Sequence, residues 1–542
     1  MANQTLFGTT ASRVRNQPKA DTRNAAGGKA YTRSDMSALA QFAATGMFSN
    51  TFYADAERQM NEAIELAQRV PVDFLAKVAV YSRQNAYLKD MPALLVAILA
   101  TRDTDLFKAV FPLVIDNGRM VRNFVQIMRS GVVGRKSLGT AAKKAVQRWF
   151  AASTDDYIFR ASVGKSPSIA DVIKMVHPSP GTKSRDALFA YLLGKKLDRR
   201  SLPVLVKQFE KFKKGTAGER ELPKLPFQLL DSAGLSDTEW TQIARDGAWM
   251  FTRMNLRTFA RHGVFKDRAL TDLIAARLSD KDQAQRARQF PYQVFSAWRM
   301  VEHDDSIPAA VKAALHTAVD HTCGNIPVFE GRTAVLVDIS GSMTYPISRR
   351  SGQAAHSVVC CVDVAGLFAA AIARKNPDAV VYQFSTEAKR VRFNAMDSVF
   401  TNAKKITTGR MGGTSISSGL IALMKDFKTG DLPDNIIIIS DNESWADAYG
   451  RTGSFSVRHF GGSGGATATQ AAFSKYRSMN RKAQMVLIDL TPTSNTQVKD
   501  DPNILNVGGF SDAVFTAIAS FVESRGRPDF WAEKIRKEIS IG

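Results

Sequence analysis

The stretch "TAVLVDISGSM", residues 333–343, decides the fold of the C-terminal part of the chain. Its first six residues, 333–338, suit a buried strand, and a polar loop with one aspartate and two serines follows at once. Three similar β-rich runs come later, at residues 379–384, 435–440 and 485–490, with room for helices between them. Buried strands that alternate with helices predict a doubly wound α/β sheet.

Helices are predicted between these strands, over residues 356–375, 415–428 and 466–478. The chain before residue 320 has a different pattern, because apolar residues recur at helical spacing and proline and glycine separate the segments. This pattern predicts an α-solenoid of helix pairs, although we find no strict sequence repeat. The fold class is therefore multidomain, with a helical-repeat part followed by an α/β part.

A candidate metal site lies at one edge of the predicted sheet. Asp338, Ser340 and Ser342 form a D-x-S-x-S pattern in which alternate side chains can converge on one point. Thr414, before a predicted helix, and Asp441, at the end of a predicted strand, add two more oxygen atoms. Because Mg²⁺ prefers oxygen ligands and retains several waters, this set suits Mg²⁺ better than zinc. The sequence therefore predicts a divalent metal, with Mg²⁺ as the expected ion.

The charge of the chain indicates a polyanionic partner. The sequence has 73 Lys and Arg residues against 51 Asp and Glu, a formal charge of +22, and most of the excess precedes residue 330. Nucleic acid is the commonest partner of such a surface. Within "GRKSLGTAAKKAVQRW", residues 134–149, a cationic ridge suited to phosphates consists of Arg135, Lys136, Lys143, Lys144 and Arg148. Taken alone, this ridge fits a solvated helix face equally well.

Cysteine content and hydropathy bear on the compartment. The chain has only three cysteines, Cys323, Cys360 and Cys361. So small and odd a number does not suit a disulfide framework and fits a reducing compartment. The N-terminus has no apolar segment of a secretion signal, and no stretch is long and apolar enough to cross a bilayer. We therefore expect a cytoplasmic protein without membrane association, whose residues 1–30 form a flexible basic tail.

The C-terminal part, residues 326–542, resembles a von Willebrand factor A domain. The resemblance rests on the five predicted metal ligands, which match the metal-ion-dependent adhesion site of that family. One departure is "SDNES" around Asp441, where many such domains have "TDG", and this changes the following turn. The resemblance implies an ion with an open position for a partner's carboxylate. It therefore implies adhesion and not catalysis.

Residues 31–325 resemble the TROVE module of the Ro 60 kDa autoantigen family, in "SGVVGRKSLGTAAKKAVQRWF", "DVIKMVHPSP" and "AWMFTRMNLRTFARHGVF". A TROVE module followed by a metal-site A domain is specific to Ro proteins, so the chain is identified as a bacterial or phage member. The resemblance implies a ring of HEAT-like helical repeats with a central hole, and it favours RNA contact by the cationic ridge. It also implies an RNA-binding rim near three residues of the "HP" motif region, namely His177, Lys183 and Arg185.

A further helical stripe of donors in "NLRTFAR" consists of Asn255, Arg257 and Arg261. The family resemblance implies a noncoding-RNA scaffold that holds Y-like RNA on its outer surface and single-stranded 3′ ends of misfolded or structured RNA in the hole. It implies a role in RNA quality control, processing or degradation, an exoribonuclease partner, and a monomer within a ribonucleoprotein. The alternative is a metal-dependent protein-binding adhesion module, with the helical half as its support.

Patterns of enzymes and of other sites are incomplete. "VGKSPS", residues 163–168, lacks the first glycine of a phosphate-binding loop, and hydrolase elbows and Cys-His nucleophile patterns are not found. His316, His321 and Cys323 lack a fourth ligand for zinc. We therefore expect a protein that binds and does not catalyse.

Overall fold

The computed structural model describes residues 18–45, 55–287, 291–322, 326–347, 359–394, 396–409, 411–446, 466–491, 493–509, 512–524 and 530–541. Packing divides the chain into two compact units that interleave along the sequence. The sheet unit comprises Met1–Arg69, Ser279–His303 and Ala313–Glu538, and the helical unit comprises Val70–Leu278, Asp304–Lys312 and Ile539–Gly542. The predicted division into modules at residues 325 and 326 stays a prediction, since packing units and sequence modules are different things.

Before residue 330 the described chain is almost entirely helical, as predicted. Two short strands come first, β1 (Thr22–Arg23) and β2 (Lys29–Thr32). The helices are α1 (Asp35–Thr45), α2 (Ala56–Arg69), α3 (Val72–Gln84), α4 (Asp90–Arg102), α5 (Thr104–Val114), α6 (Gly118–Ser130), α7 (Gly139–Ala152), α8 (Asp155–Arg160), α9 (Ile169–Val176), α10 (Lys183–Leu192), α11 (Val204–Lys214), α12 (Phe227–Leu230), α13 (Asp237–Asp246), α14 (Trp249–Met254), α15 (Leu256–Arg261), α16 (Arg268–Ser279), α17 (Lys281–Arg286), α18 (Pro291–Val301) and α19 (Ala309–Thr322). Single 3₁₀ turns occupy Arg199–Ser201, Asp231–Ala233 and Val264–Lys266.

Helix α6 shows how local sequence sets these elements. The side chain of Asn117 accepts a hydrogen bond from the backbone N–H of Met120 at 3.0 Å and so caps the N-terminus. Gly131 ends the helix with a φ of 91°, a conformation that glycine adopts without steric cost. The apolar face buries Phe124, whose ring lies 5.2 Å from that of Phe111 on α5.

No helix in the described ranges combines the length and apolar character needed to cross a membrane.

The C-terminal part forms the predicted α/β sheet. Its helices are α20 (Cys361–Lys375), α21 (Val399–Thr407), α22 (Ile416–Asp426), α23 (Ala468–Met479), α24 (Asp512–Ser524) and α25 (Phe530–Glu538), with a 3₁₀ turn at Gly341–Thr344. Its strands are β3 (Thr333–Asp338), β4 (Val380–Phe384), β5 (Ala388–Val391), β6 (Asn435–Ser440), β7 (Gln484–Asp489), β8 (Asn495–Thr496) and β9 (Ile504–Gly508). Six of them form one sheet in the order β5-β4-β3-β6-β7-β9. All neighbours are parallel except the pair of β4 and β5.

Alternate residues of the central strands face opposite layers of helices. Leu336 and Ile438 belong to the core on one face, together with Leu420 of α22 and Phe473 of α23. On the other face α20 packs against β3, and its Phe368 ring lies 5.0 Å from that of Phe515 on α24. Strand order reverses between β3 and β6, so their carboxyl ends flank the topological switch point, where sheets of this kind bind ligands.

The first described residues correct one expectation. Residues 18–30 fall in the segment predicted to be a flexible tail, but strands β1 and β2 pair with each other, and β2 pairs with β8 of the C-terminal part. Tyr31 is buried, and its hydroxyl donates a hydrogen bond to the carbonyl of Pro18 at 2.8 Å. Only residues 1–17, which lie outside the described residues, remain covered by the prediction of a tail.

Candidate metal centre and basic surface

The predicted metal ligands converge at the switch point of the sheet. Asp338 is the last residue of β3, and Asp441 directly follows β6. Thr414 lies two residues before the first residue of α22 and belongs to a loop whose Gly412 carbonyl accepts a hydrogen bond from the N–H of Gly341 at 3.0 Å. All five side chains are buried. The structure therefore places the residues of the D-x-S-x-S loop, the loop before α22 and the end of β6 around one point.

Hydrogen bonds hold the first aspartate of this site. The backbone N–H of Ser340 donates to Asp338 Oδ1 at 2.8 Å, and the hydroxyl of Ser440 donates to Asp338 Oδ2 at 2.6 Å. The hydroxyl oxygens of Ser340 and Ser342 are 3.2 Å apart, and Ser342 lies close enough to Asp441 to oppose the rise in the pKa of that carboxyl. Ser440 was not predicted as part of the site, although its position at the end of a buried strand is a signal that could have indicated it.

Two carboxyl groups, those of Asp338 and Asp441, share this buried space. The hydrogen bonds around them do not fully offset the free energy lost when their charged forms leave water. Burial raises the pKa of Asp338, and the nearby charge of Asp441 raises it further. Burial also raises the pKa of Asp441, whose Oδ2 atom has no hydrogen-bond partner among the described residues. A cation would neutralise the two carboxylates, and the unpaired oxygen could bind it as a ligand. The donor set of two carboxylates and three hydroxyls contains only oxygen and fits a hard cation such as Mg²⁺.

The turn after Asp441 differs from the common A-domain pattern and carries a third acid. Asn442 has a φ of 63°, in the left-handed region that asparagine tolerates better than most residues. The turn buries Glu443, whose pKa is raised to about 8 by burial and by the charge of Asp441. Glu443 Oε2 accepts a hydrogen bond from the N–H of Ala26 at 3.2 Å. The sequence did not indicate this contact, because Ala26 lies more than 400 residues away.

His316 and His321, two residues of the incomplete zinc pattern, belong to no metal-binding group within the described residues. In the described ranges, no group of three or more His, Cys, Asp or Glu residues is placed to hold an ion. His316 lies in an aromatic cluster, with its ring 4.6 Å from Phe400 and 5.1 Å from Trp298. Burial lowers the pKa of His316. Cys323 lies outside the described residues. The candidate metal centre consequently depends on hydroxyl groups as well as carboxylates.

The cationic ridge lies on helix α7 of the helical unit and on the turn before it. Lys144 and Arg148, one turn apart, are exposed, and Lys143 is half-buried. Lys136 is exposed, whereas Arg135 is half-buried and folds its guanidinium over Gly139 at the start of the helix. None of these five groups forms an ion pair in the described structure. The ridge therefore presents unneutralised positive charge.

The "HP" motif lies next to this helix. His177 caps the C-terminus of α9 with a φ of 49° and is exposed. Gln147 of α7 donates a hydrogen bond to the carbonyl of Val176 at 2.6 Å, which joins α9 to the helix that carries the ridge. Lys183, the first residue of α10, is also exposed. The structure thus brings His177 close to α7, and contact of His177 with RNA stays a prediction.

Two of the residues that were predicted to contact RNA instead form hydrogen bonds within the protein. Arg185 pairs with Asp155 at 2.7 Å and donates to the carbonyl of Phe150 at 3.0 Å, so it closes the C-terminus of α7. Asn255 is buried, and its amide donates to the carbonyl of Phe251 at 2.8 Å. Because their donors are used internally, these two side chains are not free to contact RNA.

The remaining members of the second stripe reach solvent. Arg257 is exposed and lies 3.6 Å from Asp304, a distance at which an exposed ion pair contributes little. Arg261 is exposed, with its Nη2 atom 3.4 Å from the hydroxyl of Thr258. Both guanidinium groups therefore remain available to an anion, and they lie one turn apart on α15, as Lys144 and Arg148 do on α7.

Comparisons with known proteins agree with the fold and with the family resemblance. The family model described as the Ro60 vWA domain matches residues 332–455. The chain is 23% identical over 549 aligned residues to the RNA-binding protein RO60 of Deinococcus radiodurans, a match that covers 92% of this chain and 94% of that protein.

The crystal structure of the Deinococcus radiodurans RO (RSR) protein matches with a TM-score of 0.63 and 19% sequence identity. The match covers 91% of this chain and all of the other, and it shows that the helical and α/β parts have the fold of that protein. The family model matches the A domain alone, whereas the similarity to RO60 extends over nearly the full length. These comparisons confirm the resemblance to the Ro 60 kDa family that the motifs of both halves indicate.

Proposed function

We propose that this chain is an RNA-binding scaffold of Ro type that holds noncoding RNA on the basic surface of its helical unit. The observation that carries the proposal is the exposed pair Lys144 and Arg148 on α7, with Lys143 and Lys136 beside it. Cations in this arrangement bind the phosphate backbone and contribute affinity with little sequence discrimination. The similarity to a protein named for RNA binding supports the same conclusion.

Replacing Lys143, Lys144 and Arg148 together by alanine is expected to weaken binding of a structured RNA. It should also reduce the slope of log affinity against log salt by roughly 0.7–0.9 for each phosphate contact that is lost. Fluorescence anisotropy over a range of salt concentrations measures both quantities. The matched control removes the same charge from exposed lysines of the sheet unit, Lys389, Lys425 and Lys428. An equal loss in the control would contradict the assignment to α7, and Asp338→Ala is expected to leave RNA binding unchanged.

Finer features of the proposal follow from the family resemblance. Y-like RNA would rest on the outer basic surface, and single-stranded 3′ ends of misfolded or structured RNA would enter a central hole. The chain would act as a monomer within a cytoplasmic ribonucleoprotein, in RNA quality control, processing or degradation. It would present bound RNA to an exoribonuclease or another protein without catalysing a reaction itself.

We also propose that the sheet unit binds a divalent cation, most consistently Mg²⁺, through Asp338, Ser340, Ser342, Thr414 and Asp441. The unpaired Oδ2 atom of Asp441 and the burial of both aspartates support this proposal. When bound, the ion would supply positive charge and an open coordination position for a carboxylate of a partner protein. Hydrogen bonds from Ser340 and Ser440 hold the Asp338 carboxylate in place, where it would be one of the residues that hold the ion.

Added Mg²⁺ is expected to stabilise the sheet unit, because an ion that binds only the folded state adds about 2.7 kcal/mol at a concentration one hundred times its Kd. Thermal unfolding with and without the ion measures the effect. Asp441→Asn should remove it, whereas Asp431→Asn, which changes an exposed carboxylate before the same strand, should retain it. A shift of equal size in both variants would argue against the site.

A second candidate function is a metal-dependent protein-binding adhesion module in which the helical unit is only a support. The buried set of five oxygen ligands favours it, because an intact site of this kind suits capture of a carboxylate. Chelation separates the two functions. An RNA scaffold binds structured RNA equally well with and without a chelator, whereas an adhesion module loses every partner on chelation and has no affinity for RNA.

A further inference from the structure

A pocket opens beside the cationic ridge, entirely within the helical unit. It has a volume of about 630 Å³ and lies between α5, α7 and α8. Pockets of roughly 300–1,000 Å³ are the usual size of sites for small organic groups. Its walls are largely apolar and include Phe111, Pro112, Trp149 and Tyr157. The size and composition therefore suit a flat apolar ring system.

Two aromatic side chains line the pocket in a fixed arrangement. The ring centroids of Trp149 and Tyr157 are 6.0 Å apart, with an angle of 54° between the planes. Tyr157 is 38% exposed, which is uncommon for a large apolar side chain in the described structure. An exposed aromatic face that packs against a second ring offers a surface on which a further ring can stack.

The charges around the pocket favour a ligand that carries phosphate. Arg148 lines the pocket and is also a member of the ridge, one turn after Lys144. Lys108 is a second cation at the wall, and its pairing with Asp105 at 2.8 Å is an exposed contact that a phosphate can replace. The carboxylate at the wall, Asp116, pairs with Arg83 at 2.8 Å, so its charge is compensated. The aromatic surface and the unpaired positive charge therefore meet at Arg148.

We propose that this pocket binds one unpaired nucleobase of RNA, stacked against Trp149 and Tyr157, while Arg148 and Lys144 bind the adjoining phosphates. This inference rests on the proposed RNA-binding function and adds a site for the base to a surface that otherwise contacts only the backbone. Stacking accepts any base, because each base has an aromatic face, so the pocket would select single-stranded or extruded nucleotides and not a sequence.

The test uses the full-length chain and two oligomers of equal length and charge, a short single-stranded oligoadenylate and a ribose-phosphate chain without bases. Tyr157→Leu removes one stacking ring, and Ala152→Leu fills the mouth of the pocket from an exposed position at its wall. Each variant is expected to weaken oligoadenylate binding by about 5- to 150-fold and to leave binding of the oligomer without bases unchanged. The salt dependence should stay the same, because no cation is altered.

Ala151→Leu is the matched control, since Ala151 is the exposed neighbour on the same helix and does not line the pocket. It should bind both oligomers as the unaltered chain does. The inference is overturned if the folded Tyr157→Leu and Ala152→Leu variants lose no affinity, or if they lose it equally for both oligomers. If the unaltered chain binds neither oligomer nor structured RNA, the proposed function itself fails, which is a distinct result.

Discussion

Arg33→Ala is expected to lower the free energy of unfolding of the sheet unit by about 3–5 kcal/mol, because it leaves a buried carboxylate without its partner. Arg33 Nη2 lies 3.0 Å from Asp489 Oδ2, and both side chains are only 1% exposed. Burial raises the pKa of Asp489, and Arg33 is the main group that opposes this rise. Arg33 Nε also donates to the carbonyl of Asn495 at 3.0 Å, which ties the N-terminal segment to β8.

Hydrogen exchange of the amides in β3, β6 and β7, followed as denaturant is added, reports on this unit alone. The double variant Arg33→Met with Asp489→Asn serves as the control, since it removes both charges and should recover most of the loss. A loss below about 1 kcal/mol in Arg33→Ala would be typical of an exposed ion pair and would contradict the burial of this one. Residues 18–33 should also become more sensitive to protease, because Arg33 holds them against the sheet unit.

Glu239→Gln is expected to destabilise the helical unit by a similar amount, about 3–5 kcal/mol, because it leaves a buried guanidinium unpaired. Arg220 Nε donates to Glu239 Oε1 at 2.8 Å, and its Nη2 atom donates to Oε2 at 2.9 Å. The two side chains are 3% and 2% exposed. Exchange of the amides in α11 and α13 measures the loss. A double variant with Arg220→Met and Glu239→Leu, which replaces the pair by apolar groups, should be much less affected.

The same carboxylate gives the helical unit a pH dependence of known sign. Burial by itself would raise the pKa of Glu239, but the hydrogen bonds from Arg220 and from the N–H groups of Ser236 and Gly218 outweigh it and lower the pKa to about 2. A lowered pKa in the folded state contributes stability that is present above the unfolded value and is lost as the pH falls through the folded value. The stability of the unaltered helical unit should therefore fall between about pH 5 and pH 2. Glu239→Gln should lack this part of the acid dependence, and an unchanged acid profile in the variant would contradict the shift.

The sequence predicted the central strands well, because buried parallel strands appear as short runs of β-branched and apolar residues. Strands β3 and β6 have the predicted bounds, β4 begins one residue later than predicted, and β7 both begins and ends one residue earlier. Two edge strands were missed. In β5, "AKRV" is exposed in part and resembles a loop, and in β9, "ILNVG" is short and includes asparagine and glycine, which are uncommon in strands.

Some residues of the candidate sites could be recognised from the sequence, and the contacts of others could not. Asp338, Ser340 and Ser342 could be recognised because they are adjacent in the chain and follow a strand. Periodicity could identify Lys144 and Arg148 as neighbours on a helix, but not that Arg185 turns inward to Asp155. A side chain's partner depends on distant residues, and residue type alone does not show whether an arginine faces solvent or a carboxylate.

The sequence by itself determined the class of each half, the oxygen-bearing side chains of the candidate metal site and the excess of positive charge on α7. These features depend on periodicity and on residues close together in the chain, so they can be recognised without coordinates. Only the tertiary structure decided that the N-terminal segment contacts Glu443 and Asp489, that Asp441 keeps an unpaired oxygen, and that α5, α7 and α8 enclose an aromatic pocket. Each of these depends on contacts between residues far apart in sequence, whose geometry is set by the packing of the whole unit.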